Sequence, residues 1–207
     1  VAMAEKGQAD IQLKVLGKGG HAATPPFETV IGRLAIALDR LAKNPMEERL
    51  LPLVMESLRN AAPLMDKKTQ FAMKNARLLR KQILHALAKD PLTDAIIRTK
   101  ISPTIINGGL KSNVLPKEAT VILNVRILPG DSIASVVEHI RKTINDPSVE
   151  ISVMEDPTEA SPVTSHQSLE FAALSKTIRG IYPTAIVSPA LMPAGTDSKH
   201  FIPLSHN

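Results

Sequence analysis

Two side chains thirteen residues apart, Asn113 and Arg126, carry the clearest chemistry in this 207-residue sequence. Asn113 lies in a loop that opens at Gly108-Gly109 and closes at Pro116, and Arg126 stands on the alternating run that follows. Arginine offers a planar fork of donors that fits a carboxylate, and an asparagine amide adds both a donor and an acceptor. The two read as an anion-binding pair; the competing reading makes Arg126 a structural ion-pair partner of Glu118 or Glu150. Gly17-Lys18-Gly19-Gly20 invites comparison with a phosphate cradle. It lacks the Gly-Lys-Ser/Thr ending such loops require, and Pro25-Pro26 stands where the helix should begin, so no nucleotide site is expected. On the residues alone, His21 is a surface-loop histidine. His85, His139 and His166 fall at helical or cap positions without ligand spacing, and His200 and His206 lie near the end. The absence of cysteine excludes disulfides and thiolate metal sites and leaves the compartment open.

The elements that must position these residues follow from periodicity. Ile11, Leu13 and Val15 alternate with polar residues over 8–16, which predicts a strand with one wet face. Glu28 to Lys43 is a helix with Ile31, Leu34, Leu38 and Leu41 on one side, stopped by Asn44-Pro45. Residues 45–98 read as a helical insertion punctuated by Pro52, Pro63 and Pro91, its longest helix running from Asp66 to Ala88 with Phe71, Leu78, Leu79 and Ile83 inward. Thr99 to Ile106 is a strand whose Pro103 suits an edge or a bulge. Ala119, Val121, Leu123, Val125 and Ile127 share one face of the next strand, and Thr120, Ile122, Asn124 and Arg126 the other. A helix over 132–144 and a short strand at Val149–Val153 complete the order.

Without the insertion, that order is the split β-α-β ferredoxin-like arrangement: an α+β fold with an antiparallel sheet and two helices on one face. From Pro157 the texture changes to a linker, a helix over 165–180 and a short apolar strand over 185–191, expected to be a fragment of an α/β catalytic domain. The expected domains are therefore 1–156, containing the insertion 45–98, and 157–207. The start at Val1 reads as excision from a longer chain.

Composition narrows the function classes. Hydrophobic content of 43% and charged content of 22% suit a globular domain, and 2% aromatic content makes the core aliphatic. The net charge of +5 comes from basic residues scattered among acidic ones, so a solvated surface is expected rather than nucleic-acid binding, and the stacking platform of a single-strand binder is missing. No apolar run approaches the ~20 residues of a membrane helix.

The order Gly19-Gly20-His21-Ala22-Ala23-Thr24-Pro25-Pro26, then Asn107-Gly108-Gly109 with Asn113-Val114 and Pro116, then Asn124-Val125-Arg126 with Pro129-Gly130, resembles the lid, or dimerisation, domain of the two-zinc aminoacylase and carboxypeptidase family. The resemblance is greatest to its carboxypeptidase S and N-acyl amino acid hydrolase branch, and spans residues 1–43 and 101–207. Gly195-Thr196-Asp197 resembles that family's loop at the edge of the catalytic domain. The resemblance implies that His21 donates a hydrogen bond to the scissile carbonyl as it becomes an oxyanion. It implies that Asn113 and Arg126 hold the substrate's terminal carboxylate, and that Gly195, Thr196 and Asp197 complete that pocket. It implies two zinc ions in the parent enzyme but no metal ligand and no cofactor in this fragment, a homodimer formed through the lid, and a peptide or N-acyl amino acid as substrate. The rival class is a non-catalytic ferredoxin-like module that pairs chains or binds a regulatory ligand.

Overall fold

The computed structural model describes residues 1–201 and 204. In chain order the strands are β1 (Ala2–Glu5), β2 (Gly7–Leu16), β3 (Gly20–His21), β4 (Lys100–Gly108), β5 (Val114–Leu115), β6 (Glu118–Ile127), β7 (Val149–Val153) and β8 (Ala190–Met192). The helices are α1 (Val30–Lys43), α2 (Pro52–Ala61), α3 (Lys67–Lys74), α4 (Arg80–Leu87), α5 (Pro91–Asp94), α6 (Ile133–Ile144) and α7 (Leu169–Ile181).

β2 and β6 alternate with period two because each has one face against a core and one open. Ala9, Ile11, Leu13 and Val15 on β2, and Ala119, Val121, Leu123, Val125 and Ile127 on β6, are buried. The two pair antiparallel along their length, Gly7 opposite Ile127 and Leu16 opposite Glu118. β7 adds to the far side of β2, and β4 to the far side of β6, giving the order β4-β6-β2-β7. This is the expected ferredoxin-like sheet. β4 is an edge strand with a register shift between Pro103 and Ile105, so the proline stands where a ladder donor is dispensable.

α1 and α6 cover the apolar face. Thr29 caps α1 by accepting from the Gly32 N–H, and Asn44 ends it, its side-chain amide donating to the Arg40 carbonyl. Ser132 and Ser135 form a reciprocal cap on α6, which stops at Asn145 in the left-handed region. Val30, Leu34, Ala37 and Leu41 of α1, with Val136, Ile140 and Ile144 of α6, close over the sheet. Each fully buried Leu or Ile stabilises the fold by roughly 1.5–3 kcal/mol, so aliphatic burial suffices without aromatics.

The insertion departs from its expected form. The single helix over 66–88 is instead α3 and α4, separated by a turn at Asn75–Leu79 where Asn75 folds back onto the Phe71 carbonyl. The break rotates the stripe: Met73, Ala76 and Ile83 are buried, while Phe71 and Leu78 are 63% and 82% exposed. These buried residues join Leu50, Leu53, Val54 and Ile97 in a second core with Met3, Ala4, Leu128 and Leu191. The insertion thus packs on β1, β8 and the end of β6, away from the β4 edge.

β1 does not enter the four-stranded sheet; it pairs parallel with β8. The expected strand over 185–191 is only β8, and the expected helix over 165–180 begins at Leu169, capped by Ser168. Leu169 is exposed rather than inward, and Phe171, Ser175 and Ile178 face the protein. The backbone of 158–160 crosses Gly7 so closely that a Cβ there would lie 2.5 Å from the Ala160 nitrogen. Only glycine fits at that crossing.

Candidate functional site

The expected site residues gather into two groups. In the first, β3 and β5 zip the two motif loops together, with Gly20 opposite Leu115 and His21 opposite Val114. The Ala22 N–H donates to the Asn113 carbonyl at 3.0 Å. Gly109, at φ +81°, turns the chain out of β4 into this loop. Between the loops lies an open cleft of about 670 Å³, lined by His21, Leu110, Val114 and Leu115 among others. His21 is exposed, and its Nδ1 accepts from the Ala23 N–H at 3.1 Å. Accepting at Nδ1 places the proton of the neutral ring on Nε2, so the outward nitrogen is a donor. Among the described residues, the exposed Asn113 side chain has no hydrogen-bond partner.

The second group sits at the opposite end of the sheet. Arg126 lies across from Gln8 on β2 and Lys100 on β4. Its Nη1 donates to Gln8 Oε1 at 2.8 Å and its Nε to Asn124 Oδ1 at 3.2 Å; Asn124 in turn donates to Asp10 at 2.7 Å. Two neutral amides thus orient the guanidinium. Its ion-pair reading is not met: Glu118 pairs with Lys14 at 2.8 Å, and Glu150 stands opposite Lys14, near the far end of β2. Among the described residues Arg126 has no carboxylate partner, which leaves its charge available to an anion. Three residues before Gln8, Glu5 binds the Gly195–Asp197 loop, accepting from the Thr196 N–H at 2.9 Å, the Thr196 hydroxyl and the Ser198 hydroxyl. Gly195 and Asp197 are exposed beside it.

Gln8 and Leu16 are eight residues apart on β2, so the two groups are separated by about 25 Å at the rise of a strand. Within one chain the structure brings His21 to Asn113, and Arg126 to Gln8 near the start of β2, three residues after the Glu5 that binds Thr196. It does not bring Asn113 to Arg126, so the expected pair is not assembled by a single chain. The loop closed at Pro116 precedes β6, and Arg126 lies at that strand's far end. Glu5, Gln8 and Asn124 are the residues that sequence reasoning did not assign. Asn124 was detectable in principle as a polar residue on the same strand face as Arg126, whereas Gln8 depends on the pairing of β2 with β6.

The remaining histidines are dispersed. His85 is exposed on α4, His139 contacts the Asn44 carbonyl from α6 at 3.0 Å, His166 precedes α7 and His200 is exposed near the end. His206 lies outside the described residues. Among the described residues no three His, Asp or Glu side chains converge as metal ligands, and no helix is long and apolar enough to cross a membrane.

Comparison with known proteins places this geometry. The chain is 36% identical over 209 residues to a carboxypeptidase S-like protein of Dictyostelium discoideum, covering 100% of this chain and 40% of that protein. It is 33% identical over 210 residues to an N-fatty-acyl-amino acid synthase/hydrolase of Xenopus tropicalis, covering 100% of this chain and 41% of that one. The chain therefore spans about two-fifths of the length of these relatives. A metallo-carboxypeptidase from Sulfolobus solfataricus has the same fold, with a TM-score of 0.55 at 17% identity over 97% of this chain and 55% of that one. Residues 3–152 match the peptidase dimerisation domain, and the chain belongs to that family.

Proposed function

We propose that this chain is the lid of a zinc-dependent hydrolase that cleaves the amide bond of peptides or N-acyl amino acids bearing a free carboxylate. Its site residues would serve two active sites at once. The observation that carries this reading is the separation of His21 and Asn113 from Arg126 and the Thr196 loop by most of a sheet's length. A dipeptide-sized substrate cannot touch both groups of one chain. It can touch both if the His21 loop belongs to one subunit and Arg126 to the other.

In that arrangement Arg126, preset by Gln8 and Asn124, takes the substrate carboxylate, and the Gly195–Asp197 loop borders it from the same chain. His21 of the neighbouring subunit donates its Nε2 proton in a hydrogen bond to the oxyanion, and Asn113 accompanies it. Loss of one such donor costs roughly 10²–10³ in rate. The parent's zinc ions would supply the activated water. The described residues do not form a metal centre, so none of them is assigned to one. The division into a lid over 1–156 and a catalytic-domain portion over 157–207 follows the same reading, with β1 pairing to the latter through β8. The likeness to a carboxypeptidase S-like protein and to an N-fatty-acyl-amino acid synthase/hydrolase supports the substrate class.

The test is complementation in the full-length enzyme. A His21→Ala subunit mixed with one whose metal ligands are removed should restore one working site per heterodimer. If heterodimers form and activity stays at the level of either variant alone, His21 serves its own chain and the shared site is wrong.

A further inference from the structure

The Gly195–Asp197 loop holds a carboxylate in this structure, and that carboxylate is Glu5 from the same chain. Glu5 ends β1 opposite Met192 of β8, and is 9% exposed. Its own N–H donates to Ser161 Oγ at 2.8 Å and its carbonyl accepts from the Ser161 N–H at 3.1 Å, so its backbone is pinned on the other side. One side-chain oxygen accepts from the Thr196 N–H at 2.9 Å; the other accepts from the Thr196 hydroxyl and from the Ser198 hydroxyl at 2.5 Å. Thr196 Oγ1 also accepts from the Ser198 N–H at 3.2 Å, closing the turn on itself.

We infer that Glu5 is the positioning residue of this loop, and that Thr196 serves the substrate through its place in the loop rather than by direct donation. This rests on the function proposed above. Each Thr196 donor points to a buried acceptor rigidly placed on a paired strand. Turning one toward a substrate would break a hydrogen bond to a buried carboxylate, and such charge-assisted bonds are stronger than neutral ones. Carboxylate recognition is thereby left to Arg126, with Glu5 holding the loop that borders it. The strand on which Glu5 sits continues through Lys6 into β2, where Gln8 orients Arg126. One short run of backbone therefore carries both the anchor of the loop and the anchor of Arg126.

What Glu5 supplies to Thr196 is an acceptor in a fixed place. Glutamine can keep its carbonyl on the Thr196 N–H and present its NH₂ to the two hydroxyls, which rotate to accept; leucine can do neither. Amide hydrogen exchange on the 207-residue chain reads this without any activity. The Thr196 N–H should exchange at least tenfold more slowly than those of Gly195 and Asp197, keep that protection in Glu5→Gln, and lose it in Glu5→Leu. In the full-length hydrolase, Glu5→Leu should raise KM for a carboxylate substrate about tenfold, as expected for one lost loop anchor, and leave kcat within a few-fold. Thr196→Val should add little in the Glu5→Leu background, because both act through one contact. Equal exchange at Thr196 and its neighbours in the wild type would overturn the inference, as would a Thr196→Val penalty undiminished by Glu5→Leu. Full-length protein without hydrolase activity would instead count against the proposed function, and the exchange measurement would still decide the role of Glu5.

Discussion

Arg126 is the residue on which the substrate reading rests most directly, because its surroundings explain both its rigidity and its free charge. Gln8 and Asn124 bind two of its nitrogens without neutralising it. In the proposed role, an incoming carboxylate would meet a guanidinium already oriented and, among the described residues, without a carboxylate partner. In the full-length enzyme, Arg126→Ala should raise KM by about 10- to 150-fold for substrates with a free carboxylate, from the roughly 1.5–3 kcal/mol of a charge-assisted hydrogen bond. The same substitution should barely affect the corresponding amides. Steady-state kinetics on a matched acid and amide pair checks this, and equal losses on both would make Arg126 structural. At this scale the sequence was informative about Arg126 and Asn113 as residue types but not about their partnership. A spacing of thirteen positions looks close in sequence, yet most of the residues between the two belong to the extended strand β6, which carries the arginine far from the loop. Glu5 was invisible for the opposite reason: nothing local marks a strand glutamate whose partner lies 191 residues later.

The joint between insertion and sheet depends on Lys6, which follows Glu5. Its Nζ donates to the Ala95 and Arg98 carbonyls at 2.8 and 2.7 Å, holding the turn after α5. Around it, Arg98 pairs with Asp94 and Glu48, Lys100 with Asp94, and Arg49 with Asp131. Burial first, then the nearby Lys100, lowers the Lys6 pKa from 10.5 to about 8, with Asp94 and Asp131 opposing and Arg126 adding slightly. Between those two values the unfolded chain binds more protons than the folded one. Stability should therefore rise with pH across that window, by at most on the order of 3 kcal/mol. Neutral lysine keeps two N–H donors, so both carbonyl contacts survive deprotonation. Urea unfolding of wild type and Lys6→Met at pH 7 and pH 10 isolates this contribution: the variant should be more destabilising at pH 10. Parallel pH dependences for the two proteins would show that Lys6 does not titrate in that range. Elements were legible where a face repeats over several turns or residues, as in β6, α1 and α6. The insertion was less so, because Asn75 breaks the helix by a local side-chain hydrogen bond that hydrophobic periodicity does not register.

For the whole molecule, the decisive feature is an edge left open. The insertion follows α1 directly and could have covered β4, but its apolar side is spent on β1, β8 and Leu128 instead. From Ser102 to Gly108 β4 remains exposed, with Ile105 at 54% and Ile106 at 64%. Ile106 stands opposite Val121 and so faces the helical side of the sheet. There Ile31 of α1, packed at Gly108, is also exposed. An open edge strand that exposes Ile105 and Ile106 beside Ile31 of the helix invites a second copy to continue the sheet. A two-fold axis would present the same surface from both sides. That pairing is what would carry a His21 loop to a neighbour's Arg126. The 22.3 kDa chain should therefore sediment as a dimer at micromolar concentration. Ile106→Lys should make it monomeric, since the two-fold axis brings the added charge in twice, into a surface that excludes water. Its circular dichroism should stay close to wild type, because within one chain Ile106 is largely exposed, and its melting should lose the concentration dependence that a dimer confers. A wild-type monomer, or a variant that remains dimeric, would mean that the edge is not the interface; the shared active site would then need a different arrangement of the two chains.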